Sequence, residues 1–495
     1  MLELNSIRTK LASVKQDHLL RFFDELSSDG KQALLTQIAS LDLDAVPSLI
    51  ETYVKNKPAL QLDLATLEPA TYYPYNHRAP SRPWDHDKYT TIGEDIIRKG
   101  EIAAFVVAGG QGSRLGFDGP KGCFPAGCIT QKPLFQLFAE QLLAARARYG
   151  IHHVRVGPGS TLVNAGIPWY IMTSPLNHKA TVAFFEKHSY FGLSPTSVRF
   201  FQQGVLPSFD LATGKILLSS KGEVATNPDG HGGAIRALDL SGALDDMKAR
   251  GVKHISYFQV DNPHVRIVDP TFIGLHAAAP DSSAQMSSKM LPKVAPDEKL
   301  GVFCSMQRQG RRVLDVIEYS DMPADLSAQR LPDGSLRFVA GSIAIHMLSV
   351  AMVEKLARNP AFSLPYHRAE KKVPFIDLDS GQPVSPTTNN AVKLERFVFD
   401  AIPLCEGSIV YETDRVEEFA PIKNASGTDS VESSKRLQTI RAARWLERCG
   451  VAIPKDAAGE PHCVLEISPL TATSADELKG AKLPAAIERG SAVVL

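Results

Sequence analysis

Gly109, Gly110, Gly112 and Gly116 crowd one short segment together with Arg114 and Lys121. It reads Val-Ala-Gly-Gly-Gln-Gly-Ser-Arg-Leu-Gly-Phe-Asp-Gly-Pro-Lys-Gly over 107–122. Without a Cβ the backbone turns sharply and comes close to a ligand. Successive N–H groups in such a loop can converge on phosphate oxygens, and the two cations add positive charge beside them. The combination suits substitution at a polyphosphate, where positioning and charge neutralisation carry most of the catalysis. Two familiar phosphate loops do not fit. A Walker loop needs Gly-Lys followed directly by Ser or Thr, and here Gly122 follows Lys121. A dinucleotide fingerprint needs GxGxxG, and Gly110, Gly112 and Gly116 are spaced one residue too wide. No acidic residue about 20 positions on ends a second strand, which disfavours an NAD-dependent oxidoreductase.

The surrounding pattern says what must hold this loop. Ile102–Ala108 is a continuous apolar run ending in Gly109, the profile of a buried parallel strand. Strands are expected again over 167–173, 198–202 and 254–260, with helices over 134–149 and through Phe184 and Phe185. Strands alternating with helices predict an α/β layer with a mixed, mostly parallel sheet. Asp261 follows the last of these strands. A carboxylate there is placed to hold Mg²⁺, which prefers oxygen ligands and substrate phosphates. The same side chain commonly caps a helix or closes a turn.

Before residue 96 the apolar residues fall at helical spacing, with Ser27-Ser-Asp-Gly30 as a turn and cap, and a Pro- and Tyr-rich connector follows. After 385 come a helical stretch over 394–399, a strand over 408–411, a helix beyond Ser433 and a Pro/Ala-rich tail. The expected domains are 1–95, a helical N-terminal domain and connector; 96–385, the central catalytic domain; and 386–495, a C-terminal domain and tail.

Composition narrows the partners. The 495 residues carry 54 basic and 54 acidic side chains, so zero net charge gives no support to nucleic-acid binding. No run approaches the ~20 apolar residues that cross a bilayer, and the first residues lack the pattern of a secretory leader. Six scattered cysteines without CxxC spacing are expected to be reduced thiols in a cytoplasm. Cys123, close to Lys121, is read as packing rather than a nucleophile, and Phe200-Phe201 as core.

The loop resembles the Gly-Gly-x-Gly-Thr/Ser-Arg-Leu-Gly signature of nucleotide-diphosphate-sugar pyrophosphorylases, with Pro-Lys a few residues on. Further segments are similar to the eukaryotic-type UDP-N-acetylglucosamine pyrophosphorylases: 167–174 (IPWYIMTS), 200–204 (FFQQG), 228–233 (PDGHGG), 259–262 (QVDN), 317–320 (IEYS), 340–343 (AGSI), 392–400 (VKLERFVFD) and 421–425 (PIKNA). They occur in the family's order, across roughly residues 65 to 450.

This resemblance implies a Rossmann-like nucleotidyltransferase domain with smaller flanking domains. It implies that UTP and a sugar 1-phosphate give a UDP-sugar and pyrophosphate with Mg²⁺, and no covalent intermediate. Arg114 and Lys121 would bind the triphosphate, and Lys393 and Lys423 would reach the phosphates from the C-terminal side. Gln203 would read uracil with the backbone of Gly110 and Gly230. Glu318 would accept hydrogen bonds from sugar hydroxyls. Two positions depart from the family: His231 and Ser342 stand where Asn is usual, both on the sugar side. His231 could donate to an N-acetyl carbonyl, make room for another hexose, or simply close a turn. The expected reaction is uridylyl transfer to an N-acetylhexosamine 1-phosphate, most closely N-acetylglucosamine. The alternatives are glucose 1-phosphate, a range of sugars, or a non-catalytic UDP-sugar-binding regulator. Retention of Arg114, Lys121, Asp261, Lys393 and Lys423 argues against the last, since binding alone needs no pyrophosphate-side charge.

Overall fold

A computed structural model of the chain describes residues 4–58, 64–151, 154–155, 162–163, 166–308, 310–359 and 362–495. The first three residues, part of the segment read for a leader, lie outside these. The contacts gather the chain into two units. One comprises Met1–Leu62, Gln203–Gly233 and Ser363–Val398; the other comprises Asp63–Gln202, Ala234–Phe362 and Phe399–Leu495.

The larger unit is built on a mixed ten-stranded sheet. Its parallel part aligns the strands His254–Gln259, Ile102–Val107, Trp169–Thr173 and Val198–Gln202 side by side. The first three are buried almost throughout, as apolar runs covered on both faces must be, while Val198–Gln202 is only partly buried and ends on the exposed Gln202. The sheet then continues antiparallel through Ala340–Ser349 to Met286–Pro292 and Val302–Arg308. The helix Leu134–Tyr149 covers one face, where Phe135 and Phe138 pack against Trp169, Phe185 and Phe258. Phe201 and the partly buried Cys123 also belong to this unit's interior, and burial pushes the Cys123 thiol up to about 12.

Helices His86–Arg98 and Pro270–Ala278 approach unusually closely. A Cβ on Gly93 would fall 1.8 Å from the Pro270 carbonyl oxygen, and one on Gly274 would fall 1.8 Å from that of Tyr89. Gly93→Ala is therefore expected to destabilise the chain by about 1–3 kcal/mol, because the helices must part. Urea unfolding checks this; an unchanged midpoint would show that the helices separate freely.

The smaller unit packs the helices Leu4–Ser13 and Ser28–Ala39 onto short strands through Leu11, Leu19, Leu34, Ile38, Phe209 and Val392. The expected cap is present: Ser27 Oγ accepts from the Gly30 N–H at 3.2 Å. One expectation fails. Residues 394–399 do not form a helix; Ala391–Glu395 is a strand between His367–Lys371 and Phe209–Asp210, followed by a 3₁₀ turn from Val398. Val392 and Leu394 are buried while Lys393 and Glu395 are only half-buried, so the segment alternates with period two. No described helix is long and apolar enough to cross a membrane.

Candidate functional site

Within the larger unit, the glycine loop and Asp261 stand at the C-terminal ends of adjacent parallel strands. The glycine loop leaves the strand Ile102–Val107 and folds back on itself. The Gly112 N–H donates to Gly119 at 2.9 Å and the Lys121 N–H to Gly110 at 3.1 Å. Gly116 turns the chain in the left-handed region with φ 68°. A Cβ at the exposed Gly110 would meet nothing within 4 Å, so that face of the loop is open to a ligand. Arg114 is exposed and Lys121 half-buried, and neither side chain has a hydrogen bond or ion pair among the described residues.

What fixes the loop was not evident from its own sequence. Asn177, fully buried, donates its amide to the carbonyls of Ala108 at 2.9 Å and Gly110 at 3.2 Å. Its own oxygen accepts from the Ser174 N–H at 2.9 Å, which sets the amide's orientation. The signal lay in the chain just after the strand Trp169–Thr173. The tail contributes as well. Glu466 accepts from the N–H groups of Ile129 at 2.7 Å and Thr130 at 2.9 Å, and from the Thr130 hydroxyl, anchoring the segment that follows the loop.

Asp261 ends the neighbouring strand. Gln259 pairs in register with Val107, so Asp261 emerges beside Gly109. Asp261 is only 9% exposed, and its carboxyl makes no hydrogen bond or ion pair among the described residues. Its carbonyl accepts from the Ile422 N–H at 2.8 Å, which brings Lys423 alongside. Lys423 Nζ lies 3.7 Å from Asp429, a residue sequence reasoning missed because it stands outside the 421–425 motif. Burial raises the Asp429 pKa; Lys423 opposes this and the nearby Asp261 carboxylate adds to it. Asp429 sits at φ 55°, held there while its carbonyl accepts from the N–H groups of Lys423 at 2.7 Å and Asn424 at 3.0 Å.

An uncompensated, nearly buried oxygen donor at a strand end suits a hard cation such as Mg²⁺. Among the described residues no trio of His, Cys, Asp or Glu gathers around a common point. The protein would thus supply few ligands and leave room for phosphate and water.

Glu318 and Ser342 meet across Gly301. A Cβ on Gly301 would lie 3.0 Å from Glu318 Oε1, and the Ser342 N–H donates to the Gly301 carbonyl at 2.8 Å.

The remaining candidates lie in the smaller unit. Gln203 is 6% exposed and precedes Gly204, whose carbonyl accepts from the Asp229 N–H at 3.1 Å. Gly230 has φ 84°, and a Cβ there would fall 2.3 Å from the Arg396 carbonyl oxygen, so only glycine fits. Asp229 is paired with Arg396 at 2.7 Å. The strand carrying Lys393 thus runs on to clasp the turn that carries Gly230 and His231. Burial lowers the Lys393 pKa, with Glu395 opposing and Lys371 adding to the effect.

His231 stacks on Phe397 at 5.1 Å, and Phe397 stacks on His367 at 4.2 Å. Its Nδ1 accepts from the Val398 N–H at 3.2 Å, which leaves the ring proton on Nε2. Burial, reinforced by His367, pushes its pKa down to about 3. Near neutral pH the ring is uncharged and carries its proton on Nε2.

Comparison with known proteins returns one chemistry. The family model for UTP–glucose-1-phosphate uridylyltransferase matches residues 80–445. UDP-N-acetylglucosamine diphosphorylase 2 of Arabidopsis thaliana is 33% identical over 95% of this chain and 90% of its own. The UDP-N-acetylglucosamine pyrophosphorylase of Saccharomyces cerevisiae is 32% identical over 89% and 90%. The crystal structure of the uridine diphosphate N-acetylglucosamine pyrophosphorylase of Trypanosoma brucei, in complex with an inhibitor, superposes with a TM-score of 0.75 at 25% identity, covering 99% of this chain and 98% of that one.

Proposed function

We propose, for a chain that belongs to the UTP–glucose-1-phosphate uridylyltransferase family, that it transfers the uridylyl group of UTP to N-acetylglucosamine 1-phosphate. An oxygen of the sugar phosphate attacks the α-phosphorus of UTP and forms the new P–O bond. The bond to the β-phosphate bridge breaks, and its electron pair leaves on pyrophosphate. The observation that carries this reading is the convergence of the open glycine loop, Asp261 and Lys423 at adjacent strand ends, in a chain whose relatives bear the pyrophosphorylase name.

Each residue then has a task. Two anions repel each other, so the protein must hold them together and screen their charge. Arg114 and Lys121 bind the triphosphate and stabilise the leaving pyrophosphate, with the N–H groups of Gly109 and Gly110 turned to its oxygens. Lys393 and Lys423 bind the phosphates that become those of the UDP-sugar. Gln203, with the backbone of Gly110 and Gly230, reads the uracil edge. Glu318 accepts from sugar hydroxyls, and His231 and Ser342 border the N-acetyl side. Asp261 would hold Mg²⁺, with Asp429 close by. When bound, the cation neutralises charge on the phosphates. The six cysteines are unpaired thiols, which supports a cytoplasmic setting.

A second reading, the same transfer onto glucose 1-phosphate, is favoured by the absence of Asn at 231 and 342. Pyrophosphate release from UTP across the 1-phosphates of N-acetylglucosamine, N-acetylgalactosamine, glucose and galactose separates the two. The highest kcat/KM is expected for N-acetylglucosamine 1-phosphate; a higher value for glucose 1-phosphate would establish the second reading. The double variant His231→Asn/Ser342→Asn is expected to raise the N-acetylglucosamine-to-glucose ratio of kcat/KM by about tenfold. An unchanged ratio would remove both positions from the selectivity argument.

A further inference from the structure

A cavity of about 430 Å³ opens in the larger unit, lined by none of the glycine loop, Asp261 or Lys423. Its size falls within the roughly 300–1,000 Å³ of small-molecule sites. Its hydrogen-bonding capacity is lopsided. The acidic groups are spoken for: Asp269 accepts from the buried Lys289 at 2.6 Å, Glu418 accepts from Lys289 at 2.6 Å and Thr413 at 2.8 Å, and Glu417 accepts from the Trp445 indole at 2.8 Å. At the rim, Asp476 pairs with Lys479.

The donors are not. His264 is 1% exposed, and neither ring nitrogen makes a hydrogen bond. Burial, reinforced by Arg441 and opposed by the Val416 backbone, holds its pKa well below the usual imidazole range, so the neutral ring offers one N–H donor and one acceptor nitrogen. Arg266 Nε is buried without a partner. Arg441 uses Nη1 on the carbonyls of Glu417 at 3.2 Å and, weakly, His264 at 3.4 Å; burial lowers its pKa to about 10. Arg448 lines the cavity as well. A buried donor without a partner costs free energy that an incoming acceptor recovers. Partnered carboxylates beside guanidinium donors with unused N–H groups suit a ligand rich in acceptor oxygens.

Two segments connect this cavity with Asp261 and Lys423. His264 lies just beyond Asp261 in one, and Glu418 just before Lys423 in the other. They are tied together by the Asn262 amide donating to the Glu418 carbonyl at 2.7 Å, the Ala420 N–H donating to Asn262 at 3.0 Å, and the Ile422 N–H donating to the Asp261 carbonyl at 2.8 Å. We propose that the cavity is an effector site for a small oxyanion-bearing metabolite, a phosphate ester or a polycarboxylate, whose binding shifts how Asp261 and Lys423 are held. The shift in catalysis rests on the transferase reading; the binding does not.

Calorimetry on the full chain saturated with UTP and magnesium, titrated separately with inorganic phosphate and with citrate, tests this. At least one probe is expected to bind at one site per chain, and the stronger one identifies the ligand class. Arg441→Gln, and independently the rim variant Arg448→Ala, are expected to weaken that binding about tenfold or more. The bound probe is expected to shift the KM for the sugar 1-phosphate at least threefold in the wild type and not in the variants. Absence of binding by both probes, binding that both variants leave unchanged, or binding with no kinetic shift in a catalytically active chain would overturn the proposal. Should the chain release no pyrophosphate from any sugar 1-phosphate, the transferase reading fails while the calorimetric result still decides the site.

Discussion

Lys121→Ala is expected to lower kcat by about 10²–10³-fold while leaving the unfolding midpoint essentially where it was. The argument rests on what Lys121 does and does not touch. Its backbone is pinned, the N–H donating to the Gly110 carbonyl at 3.1 Å, and that bond survives the substitution. Its ammonium group has no hydrogen bond or ion pair among the described residues, so truncation breaks no polar contact of the fold. What is lost is a positive charge beside the glycine loop, where the proposed reaction needs the charge on leaving pyrophosphate to be stabilised. Turnover at saturating substrate, paired with a thermal melt, separates the two effects. Near-normal turnover would reject the role, and a large drop in melting temperature would make Lys121 a structural residue.

The second large effect belongs to Asp261→Asn. The magnesium concentration for half-maximal activity is expected to rise at least about tenfold, since a neutral amide oxygen is a much poorer ligand for a hard cation. The substitution is nearly isosteric. The hydrogen bond to the Ile422 N–H is made by the Asp261 carbonyl, so the approach of Lys423 is preserved. Binding of Mn²⁺ in the presence of UTP, followed by electron paramagnetic resonance, gives a readout independent of turnover and is expected to weaken in parallel. An unchanged metal titration would move the metal elsewhere.

What could be read from sequence follows the range of the interactions. The strands over 102–107, 169–173 and 254–259 are buried on both faces, so local apolar runs announce them. The glycine loop is equally local, since its residues lie within one short stretch. The strand Ala391–Glu395 escaped because Val392 and Leu394 alternate over too few residues to separate a period of two from a helical turn. Asn177, Asp429 and Glu466 escaped for a different reason: each is defined by a partner elsewhere in the chain. Glu466 reaches Ile129 and Thr130 from the Pro/Ala-rich tail, which no local pattern links to them. Asp429 stands close to Asp261 only after the chain has folded. The His231 tautomer belongs to the same class, because it depends on the Val398 N–H arriving at Nδ1.

The most direct test of the central claim is a stoichiometric one. Purified protein is mixed with UTP, N-acetylglucosamine 1-phosphate and Mg²⁺, and both products are quantified by ³¹P nuclear magnetic resonance. The account predicts UDP-N-acetylglucosamine and pyrophosphate appearing in equal amounts, with neither formed when the sugar phosphate is omitted. Consumption of UTP to orthophosphate, or no UDP-sugar from any sugar 1-phosphate supplied, would contradict it.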